Sequence, residues 1–236
     1  MNVLGIESSG PIGSAAALRD EAVLAEESLE RGMEHGRLLV ALVDRVVAAA
    51  GWDKRRDIDL IAVSRGPGSF TGLRVGIACA KTLAALLHKP VVGVCSLDAM
   101  AENAPAQFKT VLTAVDAKRG QVYAAIYERA EGTLRRTLDP TVLRPAEALG
   151  RIRGLVYVMG DAARHYASEF ADPRCVLAPE TEWRVRASVI ARIGLAAFRA
   201  GQFAEPADLE PSYLRLAEAE ELRLARERGQ SGIPPR

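Results

Sequence analysis

Twice in this chain a short apolar run ends on an acid and then turns back on itself. Val3-Leu4-Gly5-Ile6 leads into Glu7 and the turn Ser8-Ser9-Gly10-Pro11; Val111-Leu112-Thr113-Ala114-Val115 leads into Asp116 and a turn at Arg119-Gly120. Short uncharged runs bounded by turn residues read as buried strands, and an immediate return makes a hairpin. The first hairpin continues through Ile12 to Leu18 and, past Asp20-Glu21, into Ala22 to Ala25; the second uses the run Val122 to Tyr127. Behind the first come a helix with Leu38, Leu39, Leu42, Val43, Val46, Val47 and Ala50 on one face, a strand at 60–64, a second helix, a strand at 91–95 and a helix from about Leu97. The order βββαβαβα requires a mixed sheet with crossover helices. Later strands at 155–159 and 175–178 and a helix near 187–200 make the second half a shorter version of the first. We therefore expect an α/β chain of two lobes, each a mixed sheet with crossover helices, the second reduced. Residues 1–104 form the first lobe, 105–217 the second, and 218–236 a charged, disordered tail.

Residues 64–84, Ser-Arg-Gly-Pro-Gly-Ser-Phe-Thr-Gly-Leu-Arg-Val-Gly-Ile-Ala-Cys-Ala-Lys-Thr-Leu-Ala, join the 60–64 strand to the second helix. Gly66-Pro67-Gly68 turns the chain, and Ser69 or Thr71 can cap the helix. A strand, a glycine turn and a helix start together offer backbone N–H groups to an anion. Ser8, Ser9, Gly10, Gly66, Gly68 and Ser69 are thus the candidate phosphate or nucleotide contacts. The spacing is GxGxxxG, however, and matches neither a dinucleotide fingerprint nor a phosphate loop. Within the helix, Gly72, Gly76, Ala80 and Ala84 recur every four residues as one stripe of small side chains, with Val75, Cys79, Thr82 and Leu86 to one side. Either the stripe lies against the chain's own sheet, or it admits a helix of another chain. The second reading makes Leu39, Leu42, Val43, Val46, Phe70, Gly72, Leu73, Gly76, Ala80 and Ala84 a partner interface, so that enlarging Gly76 would break association and spare the fold.

A net charge of +1 gives no global attraction to nucleic acid or anionic membrane. Basic pairs such as Lys118-Arg119 and Arg135-Arg136 are scattered among acids, without interleaved aromatics. Cys79, Cys95 and Cys175 build neither a disulfide framework nor a CxxC metal site, which fits a reducing cytoplasm. The start Met-Asn-Val-Leu-Gly-Ile-Glu lacks a basic leader region, and no uncharged run approaches the ~20 residues of a membrane span.

Two lobes that each open with an acid-ended strand and hairpin suggest the actin, Hsp70 and sugar-kinase (ASKHA) architecture. More specific are Gly5-Ile6-Glu7-Ser8-Ser9, the block Ser64 to Gly76, Val94-Cys95-Ser96-Leu97-Asp98-Ala99, Asp116-Ala117-Lys118-Arg119-Gly120-Gln121-Val122-Tyr123 and Pro211-Ser212-Tyr213-Leu214-Arg215. From residue 3 to about 215 the chain resembles the TsaB family, formerly YeaZ. The resemblance implies a non-catalytic scaffold and activator of TsaD, the threonylcarbamoyltransferase that modifies adenosine next to the tRNA anticodon. It also implies a homodimer when alone, a heterodimer with TsaD through first-lobe helices, and a TsaE-type ATPase in the complex. No cofactor is expected in the isolated chain, with ADP or ATP at an interface of the full complex and tRNA touched only through it.

Departures from catalytic relatives point the same way. TsaD-like chains carry an HxxxH metal pair where this chain has Ser96 and Met100, neither a ligand for a hard or borderline metal. His35, His88 and His165 are far apart in sequence and are read as surface or capping residues. Glu7 stands where ATP-using members of the fold carry aspartate. An autonomous ATP-dependent phosphotransferase of the same fold is the alternative, favoured by the glycine turn and opposed by the absence of a second-lobe adenosine signature. A metallopeptidase fails for want of ligands or a nucleophile–base pair.

Overall fold

The computed structural model describes residues 1–29 and 35–214, of which 35–37 by backbone alone. The expected tail at 218–236, Arg215 and the His35 side chain lie outside the described residues. The first sheet has the order β3(Ala22–Ser28)-β2(Ser14–Arg19)-β1(Asn2–Glu7)-β4(Leu60–Gly66)-β5(Val91–Cys95). β1 pairs antiparallel with β2 and parallel with β4. Being central and covered on both sides, β1 is apolar throughout its middle rather than alternating.

Successive residues of each strand face different helices. Leu4, Ile6, Ala15, Ala17, Ile61 and Val63 pack beneath α1(His35–Ala49) and α2(Phe70–Leu87). Val3, Ala16, Leu18, Leu60, Ala62 and Val94 pack beneath α6(Ala187–Arg199). The position of α6 corrects the expected lobe boundary. Assigned by sequence to the second lobe, it lies across β1, β2, β4 and β5 of the first. The residues after it stay there: Ala204 bonds the Val91 carbonyl at 3.0 Å, Leu209 enters the core under α2, and Ser212 bonds the Arg65 carbonyl at 2.7 Å. The reason is coverage, since α1 and α2 seal one face of the first sheet and leave the other to be closed by whatever follows the second.

The second sheet repeats the first in topology, with order β10(Cys175–Leu177)-β9(Val156–Met159)-β6(Thr110–Asp116)-β7(Val122–Ala130)-β8(Thr133–Leu143). Its hairpin strands are antiparallel and its β6–β9 and β9–β10 pairs parallel, as in the first lobe. The short helices α4(Pro145–Gly150) and α5(Ala162–His165) cover one face. The other face meets α3(Ser96–Ala101), which lies in a core shared by both lobes. Asp98 of α3 accepts from the Tyr127 hydroxyl at 2.7 Å and from the Arg136 guanidinium, fastening α3 to β7 and β8.

By length and composition α2 would pass as a membrane-crossing helix. Here it is a core helix laid on the chain's own sheet, interrupted by Arg74 and Lys81, and Lys81 reaches the carbonyls of Ala207 and Leu209.

Candidate functional site

Both strand-end acids, Glu7 and Asp116, line a cleft of about 750 Å³ between the lobes. Around Glu7 the chain folds tightly. Its Oε1 accepts from the Ser9 amide at 2.6 Å, the Ser9 hydroxyl at 2.6 Å and the Gly10 amide at 3.2 Å. The Ser8 amide bonds the Ser64 hydroxyl, and Ser69 donates its amide to the Ser9 carbonyl at 2.8 Å. A Cβ on Gly68 would meet that Ser9 carbonyl oxygen at 2.5 Å, so the two turns are packed backbone to backbone. Ser69 also caps α2, its hydroxyl accepting from the Gly72 amide.

These contacts engage much of the turn that the sequence offers to a phosphate. The amides of Ser8, Ser9 and Ser69 that were to cradle an anion are already donated within the chain, and Gly10 shares Glu7 Oε1. Gly66 and Gly68 are both tightly packed in the turn, where a Cβ would meet Leu73 Cδ1 at 2.9 Å and the Ser9 carbonyl oxygen at 2.5 Å respectively.

Glu7 is fully buried. Desolvation raises its pKa, and hydrogen bonds from Ser9, Ser64 and Gly10 offset this only in part. Between the ordinary carboxyl value near 4.5 and the raised folded value, the native chain binds more protons than the unfolded chain. Stability contributed at this position therefore falls as pH rises through that window. Glu7→Gln, which keeps the Oε1 acceptor, is expected to flatten this slope; melting temperatures of both proteins from about pH 4.5 to 8 check it.

Across the cleft, burial alone would raise Asp116, but hydrogen bonds from Lys118 and Tyr166 hold it below the usual carboxylate range. Ser96 and Met100 also line the cleft, and neither offers an imidazole. His88 caps the end of α2, its amide bonding the Ala84 carbonyl, and His165 is exposed with Nδ1 at 2.9 Å from the Asp161 carbonyl. Among the described residues no three His, Cys, Asp or Glu side chains cluster as metal ligands do.

The partner surface assigned from sequence also needs correction. Leu39, Leu42, Val43 and Val46 of α1, and Leu73, Gly76, Ala80 and Ala84 of α2, are buried in the chain's own core. A Cβ on Gly72 would sit 2.0 Å from the Ser8 carbonyl oxygen, and one on Gly76 would sit 2.0 Å from Ser8 Oγ. The stripe of small residues lets α2 settle onto the end of β1, within the chain's own core. Of the assigned residues Phe70 does reach solvent, 36% exposed, its ring tilted against that of Tyr213 with centroids 5.2 Å apart and the Arg74 guanidinium 4.0 Å over its ring.

Sequence reasoning missed the outward side of the same helices. Thr71, Arg74, Ala78, Thr82, Ala85 and Leu86 of α2 are exposed, Leu86 by 72%, as is Val40 of α1 by 57%. The signal was available in the sequence, because apart from Lys81 no charge occurs between Arg74 and His88. Apart from Arg74, the exposed residues of α2 are uncharged.

The sequence matches the family model of TsaD, described as tRNA N6-adenosine threonylcarbamoyltransferase, over residues 25–183. It is 29% identical over 226 residues to the tRNA threonylcarbamoyladenosine biosynthesis protein TsaB of Bacillus subtilis, covering 93% of this chain and 96% of the relative. An uncharacterised protein of Mycobacterium tuberculosis is 34% identical over 227 residues, covering 93% and 94%. The solved structure of YeaZ from Pseudomonas aeruginosa superposes with a TM-score of 0.76 at 25% identity, over 90% of this chain and 99% of that one. A ROK hexokinase from Thermus thermophilus shares the fold, with a TM-score of 0.51 at 12% identity over 84% and 100% of the chains. With its paired mixed sheets and the block from Ser64 to Gly76, the chain belongs to the TsaB (YeaZ) family of tRNA threonylcarbamoyladenosine biosynthesis proteins.

Proposed function

We propose that this chain is a non-catalytic scaffold that binds and activates a TsaD-type threonylcarbamoyltransferase through the outward face of α1 and α2. The observation that carries the reading is a contrast within one fold. The turn that would hold phosphate spends its amides on Glu7, Ser64 and the neighbouring loop, while a helix face centred on Ala78, Thr82 and Leu86 stands open. Kinship with the transferase family supports a paired arrangement, because two similar first lobes can present equivalent helices to one another. Four helices then pack at roughly 20–50°. The same surface serves a homodimer when the chain is alone, so the two assemblies exclude each other. In the cytoplasm a TsaE-type ATPase joins the heterodimer, adenine nucleotide sits at an interface of the complex, and tRNA is touched only through it.

The phosphotransferase alternative gains nothing from the turn geometry. The test is to mix the purified chain with its cognate TsaD-type subunit and follow both assembly and threonylcarbamoyl transfer. A stable heterodimer, with transfer dependent on this chain, is expected. Transfer by the TsaD-type subunit at full rate without it overturns the proposal.

A further inference from the structure

Resting on the scaffold reading above, we propose that Arg74 seats a carboxylate of the TsaD-type subunit and so makes this surface prefer that partner to a second copy of the chain. Arg74 is the one charged residue among the exposed positions of α2. Its guanidinium is held on two sides: Nε donates to the Tyr213 hydroxyl at 3.0 Å, and the central carbon lies 4.0 Å from the centroid of the Phe70 ring. Neither neighbour is an acid, and among the described residues no carboxylate lies within ion-pair distance of Arg74. Both terminal nitrogens are left without a partner there.

The hold is assembled from far along the chain. Lys81 donates to the carbonyls of Ala207 and Leu209, and the Ser212 amide bonds the Arg65 carbonyl. The segment tied down in this way ends with Tyr213 against Phe70, their centroids 5.2 Å apart. Tyr213 is 43% exposed and Phe70 36%, so two aromatic rings and a guanidinium stand together at the surface. Aromatic residues and arginine are the types that concentrate binding energy at interfaces.

A guanidinium fixed at Nε and over a ring loses little freedom on docking, and its open fork matches a carboxylate bidentately. Covering it without an acceptor would bury an unpaired charge, which is strongly unfavourable. A second copy brings no ready acceptor on these helices. Asp44 is the one acid in the sequence of α1 and α2, and Lys54 already holds it at 2.6 Å. An RNA phosphate is the poorer occupant, because a lone arginine on an uncharged helix face makes no track for a nucleic-acid backbone. The two assemblies sharing this surface are therefore unequal: the homodimer leaves Arg74 unpaired and the heterodimer satisfies it.

The test places Arg74→Gln, Arg74→Lys and Arg74→Glu in the full chain and follows heterodimer, homodimer and melting temperature. Arg74→Gln is expected to weaken the heterodimer about tenfold or more without weakening self-association, and Arg74→Glu to weaken the heterodimer further. Arg74→Lys, which keeps the charge and loses the fork, falls between wild type and Arg74→Gln. Should these variants fail to fold, Tyr213→Phe, which removes only the hydroxyl holding Nε, is expected to weaken the heterodimer severalfold. Replacing acids on the facing helices of the TsaD-type subunit one at a time by lysine should restore binding to Arg74→Glu at one position. Partner affinity indifferent to Arg74, equal losses in both assemblies, no rescue at any acid, or a defect confined to tRNA binding overturns this proposal and leaves the scaffold reading standing. Failure of the wild-type chain to form any heterodimer overturns both.

Discussion

Gly76→Leu is expected to lower the melting temperature by roughly 6–12 °C, a stability loss of ~3 kcal/mol, at ~2–4 °C per kcal/mol for a chain of this size. Even the first carbon of the new side chain would lie 2.0 Å from Ser8 Oγ and 3.1 Å from Ser8 Cβ. The helix cannot slide to make room, because one turn earlier Gly72 lies just as close to the Ser8 carbonyl oxygen. Nor can Ser8 retreat, for its amide is tied to Ser64 and the next residue to Glu7. The loss should appear in the isolated chain, with any defect in assembly following from it. A mutant that melts normally yet no longer associates would return the small-residue stripe to a partner interface. Thermal denaturation alongside sedimentation distinguishes the two.

The reversal at Gly76 shows what the sequence could and could not convey. Spacing announced that something approaches α2 closely, and it does; spacing carries no record of whether the neighbour belongs to the same chain. The strand ends at Glu7 and Asp116 were legible because apolar runs between turn residues have few other destinations. From them the paired lobes followed, and the two sheets do repeat one topology. β8 escaped notice because its eleven residues, Thr-Leu-Arg-Arg-Thr-Leu-Asp-Pro-Thr-Val-Leu, form a solvated edge strand with charges and a proline, which edges tolerate and centres do not. The return of α6 to the first sheet was hidden for a different reason. An amphipathic helix states which of its faces is buried and not which sheet buries it.

At the cleft, the difficulty was one of reach. Glu7 is longer than aspartate by one methylene, and its carboxylate folds back over the Ser9 and Gly10 amides that a phosphate would otherwise take. The residue types in the turn were those of an anion site; the acid before them takes up the Ser9 and Gly10 amides.

Leu86→Asp is expected to weaken association with the TsaD-type subunit by more than 100-fold while leaving the fold nearly untouched. Leu86 is 72% exposed near the end of α2, so its removal opens no cavity. A carboxylate in the last helical turn meets the unfavourable end of the helix dipole, which costs the free chain ~0.3–1 kcal/mol. In the proposed complex the same carboxylate is buried among the small residues Ala78, Thr82 and Ala85 with no cation beside it. An unpaired charge at an apolar contact costs ~3 kcal/mol or more, and 100-fold in affinity needs ~2.8 kcal/mol. Leu86→Gln separates the two effects, since it carries no charge for the dipole to oppose yet still places a polar group in the contact. Its affinity should fall between those of the wild type and Leu86→Asp, and threonylcarbamoyl transfer should decline in the same order. Undiminished assembly of Leu86→Asp would place the contact elsewhere on the first lobe. Loss of assembly together with a large drop in melting temperature would mean that Leu86 supports the fold after all.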